Sequence, residues 1–273
     1  MPTSRWSDLD RPPLVVRALN SALVDGGLWR EVHVVDETGS TNADVAEQAR
    51  SGAAEGLVLI AEHQTAGRGR LDRAWSAPAR SGLSFSVLLR PVDVPAGRWP
   101  LLPLVVGVGV ARAVARVAEV DVALKWPNDL LVGERKLGGI LAERVETPAG
   151  PAAVVGVGLN VTLREAELPV ATAISLALAG ANTTDRDTVL RAALRGIAGQ
   201  YNSWRSAGGD GDASVLPGYR ELCSTIGRQV RVQLAGDRVL EGDAVDVDGD
   251  GSLVVHTSSG KEIVTAGDVI HLR

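Results

Sequence analysis

At 273 residues the chain is longer than a usual single domain, so one large domain with a small appendage is the natural expectation. Its 45% hydrophobic and 22% charged residues describe a folded globular protein, and the single Cys223 excludes an internal disulfide or a multi-cysteine zinc site. A net charge of −5 with 3% aromatic residues argues against a general nucleic-acid or anionic-membrane binder, which would present a basic field or stacking platforms.

Residues 1–13 hold charges and prolines without an apolar centre, unlike a signal peptide. Charges and prolines interrupt every candidate for the roughly 18 apolar residues of a membrane span, so the cytoplasm is the expected compartment. Residues 14–24 read as a short amphipathic helix and 31–36 as a half-buried strand. A helix over 42–50 follows Thr38-Gly39-Ser40-Thr41, then a second strand at 56–62. From 63 to 80 there is no hydrophobic period, only Gly, Arg, Asp, Ser and Pro around Trp75; a loop so long usually has a function. With few apolar side chains beyond Leu71 and Trp75, it is expected to be mobile until a ligand orders it. Strand character resumes at 83–89, and 101–117 is helix-like despite Gly107 and Gly109. Strand-like runs at 122–125, 129–132, 136–145 and 152–161 follow. From residue 171 the pattern turns helical, most clearly at 187–204; a flexible connector spans 206–212, and one more helix reaches about Cys223. After Ile226, short runs at 229–234, 239–247, 253–256 and 262–264 between Gly/Asp/Ser turns suggest a small β-barrel or sandwich.

Several segments carry chemistry. In Gly67-Arg68-Gly69-Arg70-Leu71-Asp72-Arg73-Ala74-Trp75, glycines let backbone approach a ligand and arginines suit phosphate or carboxylate oxygens; a solvated basic loop is the plainer reading. Upstream, Gln64 offers a donor and an acceptor. Lys125-Trp126-Pro127-Asn128-Asp129 follows an apolar strand, where a lysine is seldom buried without a partner, although a surface turn has the same composition. Gly39-Ser40-Thr41-Asn42 opens a helix, which N-capping alone would explain, or supplies hydroxyls and an amide to a polar head group. Lys136 to Leu141 and Gly156 to Asn160 are strands with packing glycines, or walls grazed by a flat ligand. The Asp246-x-Asp248-x-Asp250-Gly251 run begins like a calcium loop, but Thr257 stands where a bidentate Glu is needed, so a hairpin turn explains it better.

In this order the segments resemble the motif series of the biotin–protein ligases (biotin–acetyl-CoA-carboxylase ligases), across residues 31–180. The C-terminal part is similar to that family's SH3-like domain in size and texture. Asp72 departs from the glycine expected between the arginines, which bears on the loop's local shape. The resemblance implies an α/β (α+β) fold: a mixed β-sheet catalytic domain over 1–224 and a small SH3-like β-barrel over 225–273. It implies ATP-dependent activation of biotin to biotinyl-5′-adenylate, with pyrophosphate leaving, and transfer to a lysine of the biotin carboxyl carrier domain of acyl-CoA carboxylases. ATP, biotin and Mg²⁺ carried mainly on the phosphates are the expected small molecules. Lys125 and Arg70 are implied as catalytic. Ser40, Thr41, Asn42, Gln64, Arg68, Gly69, Arg70, Lys125 and Gly139 are implied around biotin, and Arg68, Arg70, Trp75, Lys125, Asn128 and Asn160 around ATP or the adenylate. Asp129 is a candidate to take the acceptor lysine's proton.

About thirty residues precede the first strand, too few for a DNA-reading domain with its own core. The expectation is therefore the enzyme-only form, with no specific DNA, no membrane, and a homodimer left open. Two competitors remain: a lipoate–protein ligase of related fold, and a non-catalytic nucleotide-binding module with a β-barrel tail. The polar Ser40-Thr41-Asn42 and Gln64 set favours biotin over lipoyl, whose dithiolane wants an apolar socket.

Overall fold

The computed structural model describes residues 10–234, 236 and 238–272. The reading of the extreme N-terminus therefore lies largely outside the described residues, as does the Asp72 side chain. Seven strands form the main sheet: β1 (Glu31–Thr38), β2 (Leu57–Gln64), β3 (Gly82–Leu89), β4 (Val122–Lys125), β5 (Asp129–Val132), β6 (Arg135–Val145) and β7 (Ala152–Asn160). Their spatial order is β1-β2-β3-β7-β6-β5-β4, with β1 and β2 parallel and every other neighbouring pair antiparallel. The sheet is mixed, as expected.

The central strands β2, β3 and β7 are buried along most of their length, and their side chains alternate between two cores. Val58 and Ile60 of β2 join the larger core, whereas Leu57 and Leu59 join a second one with Val45, Ala46 and Ala49 of helix α2 (Thr41–Arg50). The larger core also takes α1 (Val16–Leu23), α3 (Leu102–Ala118) and α4 (Arg186–Ser206). The glycines that interrupt the α3 pattern have a packing role. A Cβ on Gly109 would stand 2.6 Å from the Gly196 carbonyl of α4, so the two helix backbones touch where both lack side chains. By length and composition the run Ala96–Ala118 could cross a membrane, but 72% of its most apolar window is buried in the fold, as in a core helix.

One expectation fails here. Residues 171–185 are not helical but a chain of turns, and regular helix begins only at Arg186, capped by the Asp185 carboxylate accepting from the Thr188 N–H. This stretch instead lies along the sheet: Ile174 N–H donates to Lys136 O and Leu176 N–H to Asn160 O. Those long-range bonds override the local helical pattern.

After α5 (Leu216–Leu222) the chain enters a five-stranded antiparallel sheet: β8 (Gln229–Gln233), β9 (Val239–Val247), β10 (Leu253–Thr257), β11 (Gly260–Val264) and β12 (Asp268–His271), in the order β11-β10-β9-β8-β12. The connection is stitched to the main sheet. Leu124 of β4 bridges Cys223, Ser224 N–H donates to Leu124 O, and Trp126 N–H donates to Thr225 Oγ1. The buried Trp126 indole also donates to Gly251 O, at the β9–β10 turn. β12, which periodicity did not pick out, closes against β8 and faces the main sheet's open end.

Candidate functional site

A cavity of about 780 Å³ lies between the ends of the main-sheet strands, the 65–80 loop and β12. Such a volume suits a drug-sized or nucleotide-sized ligand. Every residue named above as a biotin or adenylate contact lines it: Ser40, Thr41, Asn42, Gln64, Arg68, Gly69, Arg70, Trp75, Lys125, Asn128, Gly139 and Asn160. The sequence scattered them over 120 residues; the sheet gathers them.

At one end α2 begins beside β2 and β3. Ser40 occupies the N-cap position, yet its side chain makes no capping bond, so the hydroxyl remains available at the cavity wall. Gln64 Oε1 accepts from the Thr41 backbone N–H (2.8 Å) and hydroxyl (3.1 Å). That fixes the amide's orientation and leaves its NH₂ as the donor for a ligand. Asn42 is wholly engaged: Nδ2 donates to Glu143 Oε2 (2.6 Å) and Leu141 O (3.2 Å), and Oδ1 accepts from Ser86 (2.6 Å). Its place is to brace the wall rather than to reach a ligand. Gly156 is needed there, because a Cβ would overlap the Asn42 amide. Ser86 and Glu143, which sequence reading missed, carry no motif of their own; only the pairing of β3, β7 and β6 brings them to Asn42.

In the middle stands Lys125, at the end of β4. It makes no hydrogen bond or ion pair among the described residues, and burial foremost lowers its pKa, with Asp129 and Asp268 opposing that shift. Asp129 is held by Lys136 Nζ at 2.7 Å. Sequence reading placed Lys136 on a ligand-grazed wall without giving it a charge role. Asn128 is braced at both ends of its amide, donating to Ile140 O (2.8 Å) and accepting from Arg70 Nη1 (3.2 Å).

The 65–80 loop differs from the expectation that nothing holds it. Trp75 N–H donates to Gly67 O and Gly69 N–H to Arg73 O, making a small hairpin, and the indole lies on Gly158, where a Cβ would overlap it. Leu71 adopts φ 54°, a left-handed backbone, next to Asp72 where a glycine was expected. Arg70 donates to Gly267 O (3.2 Å), and Arg73 makes a forked pair with Asp268. These partners sit almost 200 residues away on β12 or just before it, beyond the reach of local pattern. Arg68 is exposed and makes no bond among the described residues, so it is the loop's uncommitted cation.

At the far end Asn160 is buried, its Nδ2 held by Ile174 O at 3.0 Å, which leaves Oδ1 as its acceptor toward the cavity. Glu134 and Arg228 pair across the mouth, and the Arg228 hydrogen bond draws the Glu134 carboxyl below its ordinary pKa. The site thus offers neutral hydrogen-bonding groups at one end, cations in the middle and at the mouth, and a flat aromatic lid.

Residues 34–160 match the Biotin/lipoate A/B protein ligase family, and residues 225–272 match the Biotin protein ligase C terminal domain. The chain is similar to the biotin–[acetyl-CoA-carboxylase] ligase of Mycobacterium tuberculosis, 44% identical over 96% of this chain and 97% of that protein. It is 32% identical to the bifunctional ligase/repressor BirA of Escherichia coli, over 89% of this chain and 75% of that one. Among solved structures, the biotin protein ligase of Aquifex aeolicus in complex with biotin and ATP superposes with a TM-score of 0.74 at 28% identity, covering 90% of this chain and all of that one.

Proposed function

Because this chain belongs to the biotin/lipoate A/B protein ligase family, we propose that its cavity joins biotin to ATP and hands the activated acyl group to a carboxylase. The observation that carries the assignment of parts is Lys125: an ammonium without a partner among the described residues, partly desolvated, between a neutral polar end and a cationic mouth.

Biotin's ureido ring is neutral and needs both donors and acceptors. The Ser40 and Thr41 hydroxyls and the Gln64 NH₂ supply them at the braced end. Its valerate carboxylate then points toward Lys125. Attack of a carboxylate oxygen on the α-phosphorus of ATP forms the mixed anhydride as the bond to the β-phosphate breaks and pyrophosphate leaves. Two anions must meet, so fixed cations lower the barrier, and Lys125 supplies one already in place. Arg68 is free to add another, while Arg70 ties the loop over the site. Trp75 and Asn160 face the adenosine part.

Among the described residues no three His, Cys, Asp or Glu side chains converge as a metal cage. Mg²⁺ would instead come with ATP, held mainly by the phosphates, where it would offset their charge. In the second step an amine of a carboxylase's carrier domain attacks the acyl carbon and AMP departs. The cations Lys125, Lys136 and Arg228 favour the neutral, nucleophilic amine. Once the C–N bond forms its N–H is strongly acidic, so Asp129, steadied by Lys136, suffices to take the proton.

Biotin-dependent ATP–pyrophosphate exchange, followed by streptavidin detection of a labelled carrier domain, tests the reading. Exchange driven by lipoate but not biotin would overturn it.

A further inference from the structure

His271 is the last residue of β12, half-buried, and it lines the cavity. Its Nε2 lies 3.0 Å from Thr225 Oγ1, and that fully buried hydroxyl also accepts from the Trp126 backbone N–H at 3.1 Å. The pair can share a proton either way; in the arrangement proposed below the Thr225 hydroxyl donates to Nε2. The ring is then neutral with its proton on Nδ1, which has no partner among the described residues. Trp126 follows Lys125 directly, so the chain of bonds runs from the turn that carries the central ammonium, through the linker joining the two sheets, to the ring.

From this geometry, and resting on the ligase reading above, we propose that His271 donates Nδ1–H to a phosphate oxygen of ATP, as a binding residue supplied by the C-terminal sheet, with Thr225 as its positioning residue. The surroundings select that ligand chemistry. Lys125 and Arg228 are the cations acting on the ring. A further cation beside them would add repulsion before any anion arrives, whereas a neutral N–H contributes a hydrogen bond without it. The expected desolvated state agrees: burial first, then Lys125 and Arg228, push the imidazole down to about 4, so it is uncharged near neutrality. The anchor is also rigid, since both the Trp126 indole and its backbone N–H bind groups outside the main sheet. Such preorganisation is what makes a donor effective on a developing or incoming charge.

The test compares His271→Phe, His271→Asn and Thr225→Val in the full chain, reading the KM for ATP and for biotin in pyrophosphate exchange, biotin affinity without nucleotide, and thermal midpoint. His271→Phe should raise the KM for ATP about tenfold, the weight of one hydrogen bond to a charged group, while biotin affinity and midpoint stay put. In His271→Asn the amide NH₂ can stand where Nδ1 stood, and most of the loss should return. Thr225→Val should show a smaller rise that does not add to that of His271→Phe, because both act through one ring. An ATP KM within twofold of the parent in His271→Phe overturns the proposal, as does an equal loss of biotin binding or of midpoint. If the parent chain itself shows no biotin-dependent exchange, the ligase reading falls and this inference with it; normal exchange with an unmoved His271→Phe sinks the His271 assignment alone.

Discussion

The two ends of the cavity are built differently. At the head end, Thr41, Asn42, Gln64, Ser86 and Glu143 come from α2, β2, β3 and β6, and they hydrogen-bond one another before any ligand arrives. At the nucleotide end the walls are a loop and the edge strand β12, joined by Arg70 to Gly267 and Arg73 to Asp268, with Arg73 61% exposed. Surface ion pairs of that kind contribute about 0–1 kcal/mol, so this closure opens at little cost. One end is a preformed socket and the other a clasp. Biotin should therefore bind with little rearrangement, whereas ATP entry and product release need the clasp to part.

The largest expected effect falls between the two ends. Lys125→Ala should slow adenylate formation by about 10²–10³-fold, the typical loss when one charge-stabilising donor is removed. Because Lys125 has no protein partner among the described residues, folding and biotin affinity should hold. Near-parental exchange in the folded variant would show that the midpoint between socket and clasp is not where the anions meet.

A change inside the socket should cost stability as well as binding. Asn42→Ala leaves Glu143 without its Asn42 partner and Ser86 with the Thr41 hydroxyl alone. Unpaired groups of this sort cost about 1–3 kcal/mol, and the wall that Gly156 shares with Asn42 should loosen. Urea unfolding and biotin titration should both weaken, with the KM for ATP following only as far as biotin does. An unchanged midpoint would mean that the socket is not braced through Asn42.

The contrast also explains what the sequence made legible. Thr41, Asn42 and Gln64 of the socket and the Lys125 turn fall in short contiguous motifs whose residue types announce their chemistry, whereas Ser86 and Glu143 reach Asn42 only through strand pairing. The clasp's second half was hidden. Asp268-Val269-Ile270-His271 is too short for its periodicity to stand out, and its meaning depends on contacts with Arg70 and Arg73 across nearly the whole chain. For the same reason the loop read as unpinned. The 171–185 stretch misled in the opposite sense, since an alanine- and leucine-rich pattern suggested a helix where bonds to Lys136 and Asn160 hold irregular chain against the sheet.

Loosening the clasp separates making the adenylate from keeping it. Arg70→Gly removes the bonds to Asn128 and Gly267, and adds backbone freedom beside Gly69. Adenylate should still form at Lys125 but leave about tenfold faster, a loss of ~1.4 kcal/mol in retention, and label lysines on bystander proteins. Amide hydrogen exchange over residues 64–79, with and without biotin and ATP, should show protection gained on binding in the parent and less of it in the variant. Equal protection in all states would mean that the loop is part of the socket after all.

The smallest effect lies in acid, and it too should belong to the clasp. His271 titrates near 6.5 when unfolded and about 4 when folded, held down by burial, then by Lys125 and Arg228, with Glu134 opposing. Between those values the unfolded chain binds more protons, so stability rises with pH across the window. The penalty is therefore absent above about 6.5 and complete below about 4. The full shift corresponds to roughly 3 kcal/mol at 1.36 kcal/mol per unit, but a half-exposed ring is screened by solvent, and about 1 kcal/mol is the fair expectation. His271→Asn has no proton to gain, so its urea midpoint should fall less than the parent's between pH 7 and pH 4.5, by roughly that 1 kcal/mol. Carboxylates protonating in the same range affect both proteins alike and cancel in the difference. Parallel curves would place the imidazole in a wetter setting than β12 gives it, and would count against the bond to Thr225 that makes the clasp's inner face rigid.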